Sequence, residues 1–383
     1  MKTKNGGASM SFLPEDTKKL GFGLMRLPVL NGKGDDIDLE SVAKMADHFL
    51  QQGFTYFDTA YPYHNGFSER AVRKVLVERH PRESFLLADK MPVYKLNEKK
   101  DAPAAFEEQL ERTGAGYFDF YLLHAMSADR LQKVKELKVW QYLLQEKERG
   151  RIHRLGFSFH DSPEVLDQML TELPEAEFVQ LQINYADWED QEVQSRRCYE
   201  VAQKHGKPVI VMEPIRGGSL ASEKAVCAPL LKEADPEASL ASWALRFVAG
   251  LPGVAMVLSG MSTLQQLEEN VALFSRIKPL SEKEKALLVQ AADMLRAAGA
   301  IPCTGCKYCV EGCPANIDIP AILDLLNEYA RFGSLESAKR SYGFRTREKG
   351  LASACVSCGQ CLDICPQHIE SALHMEKAAE LFE

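Results

Sequence analysis

Two runs of cysteine near the C-terminal end constrain this chain more than any other feature. The run "CTGCKYCVEGCP" starts at Cys303, and the run "CVSCGQCLDICP" starts at Cys355. Both have the spacing C-x2-C-x2-C-x3-C followed by proline, and together they hold eight of the ten cysteines. A four-coordinate zinc site needs only two C-x2-C pairs, whereas this longer spacing surrounds an iron–sulfur cluster. The sequence therefore predicts two 4Fe–4S clusters.

The same spacing predicts which thiolates share a cluster. In the pattern of bacterial ferredoxins, three cysteines of a run cover one cluster and the fourth reaches the neighbouring cluster. We therefore expect crossed ligation by Cys303, Cys306, Cys309, Cys313, Cys355, Cys358, Cys361 and Cys365. The other two cysteines, Cys198 and Cys227, lie in a helical pattern and a loop-like stretch, and are expected to be buried or partly buried thiols.

Length and charge limit the number of domains and the kinds of partner that we expect for this chain. With 383 residues, the chain exceeds one ordinary core, although a (β/α)8 barrel fills about 250 residues. A net charge of -8 disfavours a nucleic-acid partner. The chain has no 18-residue apolar run and its start lacks a signal-peptide core, so we expect a cytoplasmic protein without a membrane segment. A reducing compartment favours metal ligation over disulfides.

We expect two domains, at residues 18–295 and 296–383. Between the cysteine runs, "IPAILDLLNEYARF" places apolar residues at helical spacing. The smaller domain is therefore expected to be a mainly helical, ferredoxin-like iron–sulfur domain. Its linker resembles that of the helical ferredoxin modules of respiratory reductases. An enlarged βαβ ferredoxin remains the alternative fold.

The larger part of the chain alternates short apolar runs with amphipathic helical patterns such as "SVAKMADHFLQQG". Eight such runs are each followed by a polar turn, which is typical of βα units. Eight βα units predict a TIM (β/α)8 barrel of the α/β class. The runs begin at Lys19, Thr55, Ser84, Phe118, Arg154, Phe178, Pro208 and Ala255.

Polar residues follow several of the predicted strands. Asp58, Lys90, His124, Ser158 and Glu213 each lie at or near the end of a separate run. The carboxyl ends of barrel strands meet at one rim, where barrel enzymes hold their active sites. Each residue alone is more often a structural hydrogen bonder, but their joint placement predicts a catalytic rim.

Three motifs at these positions resemble the aldo/keto reductase family. "FDTAYPYHNGFSER" is similar to the family's signature, in which a tyrosine follows an aspartate by five positions. "FLLADKMP" and "YFDFYLLHAM" are similar to its lysine and histidine motifs. The resemblance covers roughly residues 18 to 290, and it implies a catalytic tetrad of Asp58, Tyr63, Lys90 and His124.

Carbonyl chemistry independently suits these residue types. Hydride transfer to a carbonyl leaves an alkoxide, which an acid must protonate as it forms. A tyrosine with an ordinary pKa near 10 needs a neighbouring cation to lower that value. Lys90 supplies the charge and Asp58 holds Lys90, while Tyr63 acts as the general acid. His124 is expected to orient the substrate oxygen through a ring N–H.

The resemblance also implies a nicotinamide nucleotide on the rim. Ser158 and Gln180 occupy the positions that hold the carboxamide. Phe159 stands where an asparagine commonly follows the serine, and Met212 stands where a tyrosine usually stacks on the nicotinamide. These departures leave room for a different hydride or electron donor.

The segment "SGMSTLQQLEEN" resembles the nucleotide clamp of the potassium-channel β-subunit branch. This resemblance implies that the adenosine and its phosphates contact Gly260, Ser262, Gln266, Glu269 and Asn270. Arg216 with Gly217 and Gly218 is expected to approach the pyrophosphate, since glycine permits close backbone approach. NADP(H) is favoured, NAD(H) remains open, and a flavin is not excluded although no flavin motif occurs.

Barrels of this family with a C-terminal ferredoxin-type domain form a recognisable branch. Two functions follow: a redox enzyme acting on a small carbonyl or alcohol substrate with electron relay through the clusters, or an electron-transfer or sensing module that binds nucleotide as a signal. The basic stretch "AKRSYGFRTREKG" predicts docking of ferredoxin or flavodoxin. A solvated helix face is the alternative. Its cations are Lys339, Arg340, Arg345, Arg347 and Lys349.

Overall fold

The structure, a computed structural model, describes residues 12–30, 35–191, 193–298 and 301–383. Eight parallel strands close into a barrel in chain order, so the predicted (β/α)8 barrel is confirmed. All eight apolar runs form strands. These are β1 Leu20–Gly23, β2 Tyr56–Asp58, β3 Leu86–Met91, β4 Phe118–Met126, β5 Ile152–Phe159, β6 Phe178–Gln182, β7 Val209–Met212 and β8 Val254–Gly260.

The helices of the barrel region are α1 Leu39–Gln51, α2 Ser68–Val72, α3 Asp101–Thr113, α4 Ala128–Glu136, α5 Val139–Glu148, α6 Pro163–Glu172, α7 Ser195–Lys204, α8 Ala228–Ala234, α9 Leu240–Ala249 and α10 Leu264–Ser275. Those that follow are α11 Glu282–Ala297, α12 Tyr308–Glu311, α13 Ile319–Phe332, α14 Leu335–Arg345, α15 Gln360–Asp363 and α16 Ser371–Phe382. A short 3-10 turn, Tyr63–Gly66, follows β2.

The interior of the barrel is filled by alternate strand residues. Successive side chains of a strand point to opposite faces, so every second residue faces the interior. The buried interior cluster is formed by Tyr56, Ala88, Phe120, Leu122, Phe178, Ile210, Met256 and Leu258. Phe12 packs on this cluster, with its ring centroid 5.6 Å from that of Phe120 and 5.7 Å from that of Phe178.

One glycine permits close strand packing. A Cβ at Gly156 would lie 2.5 Å from the carbonyl oxygen of Phe178. Only glycine therefore fits at this point of β5, where the strand pairs with β6. That pairing sets Ser158 opposite Gln180.

The chain divides into two compact units. One comprises residues 1–217 and 244–280, and the other comprises residues 218–243 and 281–383. Within the second unit, the described residues form helices and no strand, so the mainly helical fold is confirmed and the enlarged βαβ alternative is not observed. Its core is built by α13, α14 and α16, whose buried residues include Leu325, Tyr342 and Phe382. The expected boundary at residues 295 and 296 stays a prediction.

None of the helices in the described ranges combines the length and the apolar character needed to span a bilayer.

Candidate active site and cysteine cavities

The four tetrad residues are brought together by the period of the strands. Asp58, Lys90 and His124 follow the buried interior residues Tyr56, Ala88 and Leu122 by two positions each. Each side chain therefore extends the interior column of its strand to the carboxyl rim. Tyr63 is the first residue of the 3-10 turn that follows β2.

Lys90 is the centre of the polar network. Its ammonium donates to Asp58 Oδ1 at 2.6 Å, to the Thr59 carbonyl oxygen at 2.7 Å and to the Tyr63 hydroxyl oxygen at 3.3 Å. Lys90 is fully buried and Asp58 is 2% exposed. Three acceptors thus satisfy the three donors of a buried ammonium, which a desolvated charge requires.

The pKa of Tyr63 departs from our expectation. Lys90 does lower the pKa of Tyr63, but burial is the largest influence and the pKa is raised from its ordinary value. The expected net lowering by the cation is therefore wrong in this structure. Burial also acts to lower the pKa of Lys90, but Asp58 and Tyr63 together raise it. A protonated tyrosine beside a protonated lysine is the resulting charge state.

His124 is neutral in this environment. Burial, followed by the charge of Lys90, lowers its pKa to about 3. Its Nδ1 atom is buried without a hydrogen-bond partner. The imidazole stands edge-on to the Tyr63 ring, with centroids 6.2 Å apart. A neutral ring with a free nitrogen beside Tyr63 suits a group that positions a polar ligand atom.

The backbone around His124 is irregular. Ala125 has a φ of 53°, and the pairing of β4 with β5 shifts between Leu123 and Met126. The Ala125 N–H donates to Ser158 Oγ at 2.7 Å instead of joining the ladder. Such irregularities are common beside active sites, where they redirect a side chain. Ser158 is therefore already engaged with the strand that carries His124.

The remaining residues expected at the nicotinamide occupy the same rim. Gln180 Nε2 donates to Asp58 Oδ2 at 3.2 Å, so this amide is part of the Lys90 network. Met212 is partly exposed at the end of β7. The next residue, Glu213, has a φ of 54° and pairs with Arg26 at 3.3 Å. A charged pair thus follows the position at which the family usually places its stacking tyrosine.

The residues expected at the phosphates follow β7 and β8. Arg216 Nε donates to Asp187 Oδ1 at 3.0 Å, and Gly217 has a φ of 64° that suits glycine. Ser262 Oγ donates to the Arg26 carbonyl oxygen at 2.7 Å, and its N–H donates to Gln266 Oε1. These contacts hold both loops at the rim.

Three clamp residues differ in exposure. Glu269 is exposed on α10, whereas Asn270 is buried and donates to Ser259 Oγ at 3.1 Å. Gly260 is the last residue of β8 and pairs with Gly23 of β1. Their contacts with nucleotide, like those of the other clamp residues, stay predictions.

The eight cysteines line two separate cavities. The first encloses about 350 Å³ of empty space, partly open to solvent, and is lined by Cys303, Cys306, Cys309 and Cys365. The second encloses about 420 Å³, and its lining includes Cys313, Cys355, Cys358 and Cys361. Each cavity thus holds three cysteines of one run and the fourth cysteine of the other, as crossed ligation requires. Cys309 also reaches the edge of the second cavity.

The donor set fits a cluster. Each cavity presents four thiols around an empty volume, which is the ligand type and number that a 4Fe–4S cluster takes. In the described part of the chain, no group of three or more His, Cys, Asp or Glu side chains lies close enough together for a single metal ion.

The two runs also share their backbone conformation. Gly305 and Ser357 occupy equivalent positions, with φ of 66° and 53°. Asn316 and His368, three residues after the last cysteine of each run, have φ of 51° and 52°. Left-handed residues at matching positions show that the internal repeat is structural as well as sequential.

The two remaining cysteines and Trp188 are packed against other residues of the protein. Cys198 and Cys227 are buried, as expected. Burial raises the pKa of the Cys198 thiol to about 12. Trp188 packs on the rings of Tyr199 and Phe247.

The basic stretch of the second unit is mostly exposed. Lys339, Arg340, Arg347 and Lys349 are exposed, whereas Arg345 donates to Asp324 Oδ2 at 2.7 Å and to the Ala321 carbonyl oxygen. Phe344, on the same segment, is 71% exposed. Arg345 therefore has an internal partner, and the free charge lies on the other four residues.

Sequence reasoning missed two residues beside the tetrad. Tyr94 stands edge-on to His124 at 6.3 Å, and Arg130 lies beyond Tyr94 at 6.0 Å from its ring. Both come from loops or helix starts that follow a catalytic strand. Their position after the lysine and histidine motifs was the available signal, since loops at that end of a barrel line the site.

The family profile decides the classification. The aldo/keto reductase family matches residues 19–293. This chain belongs to the aldo/keto reductase family. A second profile, described as a 4Fe-4S dicluster domain, matches residues 302–369. The chain is thus an aldo/keto reductase barrel followed by a 4Fe–4S domain, and the recognised branch is confirmed.

Individual aldo/keto reductases are distant from this chain. An aldo-keto reductase of Mycolicibacterium smegmatis is 31% identical over 124 residues, which is 32% of this chain and 42% of the relative. The chain thus spans about two fifths of that relative's length. L-Galactose dehydrogenase of Arabidopsis thaliana is 26% identical over 288 residues, covering 70% of this chain and 88% of the relative.

Solved structures agree on the barrel. An aldo-keto reductase of Klebsiella pneumoniae in complex with NADPH aligns with a TM-score of 0.58 at 21% identity, covering 72% of this chain and 90% of that one. The holo form of an aldo-keto reductase of Bacillus halodurans aligns with a TM-score of 0.56 at 24% identity, covering 71% and 91%. At these identities the likeness shows the fold.

Proposed function

We propose that this aldo/keto reductase reduces the carbonyl of a small substrate, or oxidises the corresponding alcohol, with a nicotinamide nucleotide at Asp58, Tyr63, Lys90 and His124. We further propose that the reaction is coupled to electron transfer through two 4Fe–4S clusters. One observation carries the enzymatic part: a fully buried Lys90 ammonium joins Asp58 and the Tyr63 hydroxyl. A protein that only bound nucleotide would not need this arrangement.

Each residue has a separate task in carbonyl reduction. Tyr63 donates its hydroxyl proton to the substrate oxygen as negative charge develops there, and the Lys90 ammonium stabilises the phenolate that remains. Asp58 holds Lys90 in its charged form through the 2.6 Å contact. Neutral His124 orients the substrate oxygen. Solvent then returns a proton to Tyr63.

The polar residues of the rim are suitable for binding a nicotinamide nucleotide. A bound NAD(P)H supplies the hydride, and the clusters exchange single electrons. Ser158 and Gln180 are proposed to hold the carboxamide, with Met212 beside the ring. Arg216, Gly217 and the β8–α10 segment are proposed to hold the phosphates and adenosine. The Klebsiella pneumoniae relative is described with NADPH, which favours NADP(H), while NAD(H) and a flavin remain open.

Anaerobic titration tests the coupling. The purified holoprotein is reduced first with NADPH, then with NADH and finally with dithionite, while optical and EPR spectra are recorded. We expect a nicotinamide to reduce the clusters. Cluster reduction by dithionite alone would contradict coupling through NAD(P)H and would leave an external low-potential donor as the source of electrons.

A nucleotide-sensing role is the second candidate, because the segment that ends in Asn270 resembles the channel β-subunit clamp. Tyr63→Phe separates the two functions. If the protein is an enzyme, loss of the proton donor lowers kcat about a hundredfold or more, while the Kd for NADPH stays within about threefold. The matched control is Tyr61→Phe, a neighbouring rim tyrosine that donates to Glu108. Unchanged turnover in Tyr63→Phe would contradict the mechanism in which Tyr63 is the proton donor.

A further inference from the structure

Arg130 lies beside the tetrad on the first turn of α4, directly after the strand that carries His124. Its Nη1 donates to the carbonyl oxygen of Ala125, the residue that follows His124. Its guanidinium carbon lies 6.0 Å from the Tyr94 ring centroid. The Tyr94 ring is in turn 6.3 Å from the His124 ring. Arg130 and Tyr94 therefore form a continuous wall next to the proposed carbonyl site.

This arginine has no acidic partner within the described ranges, since no ion pair to it is formed there. Other partly buried arginines of the barrel differ in this respect. Arg112 pairs with Glu69, and Arg216 pairs with Asp187. A guanidinium has five N–H donors, and the Ala125 carbonyl accepts only one bond. Most of its hydrogen-bonding capacity is thus not used by side chains or carbonyls of the described residues.

The charges around Arg130 are of both signs, because Glu213 acts on His160 and Glu69 acts on Tyr94. His124 and His160 are its titratable neighbours toward the tetrad, and the ammonium of Lys90 lies beyond His124. Asp161, which lies close by in sequence to His160, accepts instead from the Ala128 N–H at 2.9 Å. An anionic group on an entering molecule would therefore meet in Arg130 a cation that forms no ion pair within the described residues.

We propose that Arg130 determines substrate class by binding a carboxylate on the substrate, so that the preferred substrates are aldehydes or ketones that carry a carboxylate. This inference rests on the proposed carbonyl reduction. A guanidinium matches the geometry of a carboxylate with two parallel hydrogen bonds. Fixing the carboxylate at Arg130 would direct the carbonyl oxygen of the same molecule toward Tyr63 and His124.

A matched substrate pair tests this assignment with the holoprotein and NADPH. The pair is para-carboxybenzaldehyde and its methyl ester, which share the aromatic aldehyde and differ in the negative charge and in one methyl group. We expect wild type to prefer the acid in kcat/KM by about tenfold or more, since a hydrogen bond to a charged group is stronger than one between neutral groups. Arg130→Met should lower this acid-to-ester ratio about tenfold to a hundredfold.

Two further variants distinguish a direct contact with Arg130 from a long-range effect of positive charge. Lys133→Met removes a positive charge from the same helix, one turn away, and should leave the ratio as in wild type. Arg130→Lys keeps the charge without the two-pronged geometry, and should retain part of the preference. An equal fall of the ratio in Lys133→Met would show a long-range charge effect and would contradict a direct contact.

A binding measurement separates failure of this inference from failure of the proposed function. Calorimetry gives the Kd of para-carboxybenzaldehyde and of its ester for the protein loaded with NADP+, where no turnover occurs. If wild type consumes neither aldehyde, carbonyl reduction fails for this pair, but the binding comparison still decides the role of Arg130. Equal affinities for acid and ester, or an Arg130→Met variant that binds the acid as wild type does, would overturn the assignment.

Discussion

The barrel site and the cysteine cavities are organised in opposite ways. At the barrel rim, the polar groups satisfy one another: Lys90 contacts Asp58, Thr59 and Tyr63, and Gln180 contacts Asp58. In the second unit, the cysteine side chains line two cavities, and Cys306 and Cys358 are exposed. The first site is formed by the chain alone. The second is proposed to be completed by a bound cluster.

This difference indicates which interactions stabilise the geometry of each site. A buried ion pair with satisfied donors holds its geometry before any ligand arrives, which a catalytic site needs. Four thiolates around one cavity repel one another unless a metal cluster neutralises them, so cluster binding contributes to folding. We therefore expect the barrel to tolerate loss of the clusters, and the helical unit to depend on them.

The sharpest test of the comparison uses paired cysteine variants. Cys313→Ser with Cys358→Ser changes two ligands of one cavity, whereas Cys313→Ser with Cys306→Ser changes one ligand in each cavity. Crossed ligation predicts that the first variant keeps about half of the wild-type iron and that the second keeps almost none. Iron and sulfide analysis with EPR provides the measurement.

The control for this experiment is Cys198→Ser, which changes a buried cysteine outside both runs. It should keep the full iron content. If Cys313→Ser with Cys306→Ser kept half of the iron instead, each run would hold its own cluster, and the pairing read from the cavities would be wrong. NADPH binding should survive in every cysteine variant if the barrel site is independent.

Lys90→Met tests the preformed barrel site. Removing one partner of a buried ion pair leaves an unpaired Asp58, which costs about 3–5 kcal/mol of the free energy of unfolding. Lys95→Met, at an exposed lysine nearby, is the control and should cost less than about 1 kcal/mol. Denaturation followed by tryptophan fluorescence measures both. The iron content should not change.

A double variant completes that test. Lys90→Met with Asp58→Asn removes both charges and should recover part of the lost stability, because no buried charge is left unpaired. If the loss in free energy of unfolding of the double variant equals the sum of the losses of the two single variants, Lys90 and Asp58 are not coupled. The contacts within the barrel site would then contribute less to its organisation than we infer.

The basic stretch offers a smaller effect on the helical unit. Arg340→Glu with Arg347→Glu should slow reduction of the clusters by ferredoxin about tenfold at low salt, since opposed charges steer encounter. Both residues are exposed, whereas Arg345 is held by Asp324 and is left unchanged. Stopped-flow kinetics at two salt concentrations provides the measurement. An unchanged rate would remove this surface from the docking site.

The pH dependence of carbonyl reduction is the smallest predicted effect. The pKa of His124 is lowered to about 3, so its ring stays neutral as pH falls through the usual histidine range near 6.5. The pKa of Tyr63 is raised, so its proton is kept as pH rises toward 10. We expect kcat/KM to stay flat from about pH 5 to pH 9. A limb near pH 6.5 that disappears in His124→Asn would contradict a neutral His124.

Much of this molecule was predictable because its signals are local. Each barrel strand is an apolar run of a few residues, and the tetrad follows three short motifs of the aldo/keto reductase family. The spacing within one cysteine run likewise needs only neighbouring residues. By contrast, the net pKa of Tyr63 depends on the balance between its burial and the charge of Lys90, which no local pattern contains.

The sequence by itself determined the eight strands, the helical character of the cysteine unit, the family and the candidate ligands, since periodicity and spacing act over a few residues. Only the tertiary structure decided that Gln180 bonds to Asp58, and that Arg130, which forms no ion pair within the described residues, stands beside Tyr94. Those contacts join distant parts of the chain, and they exist only after the strands and helices have packed.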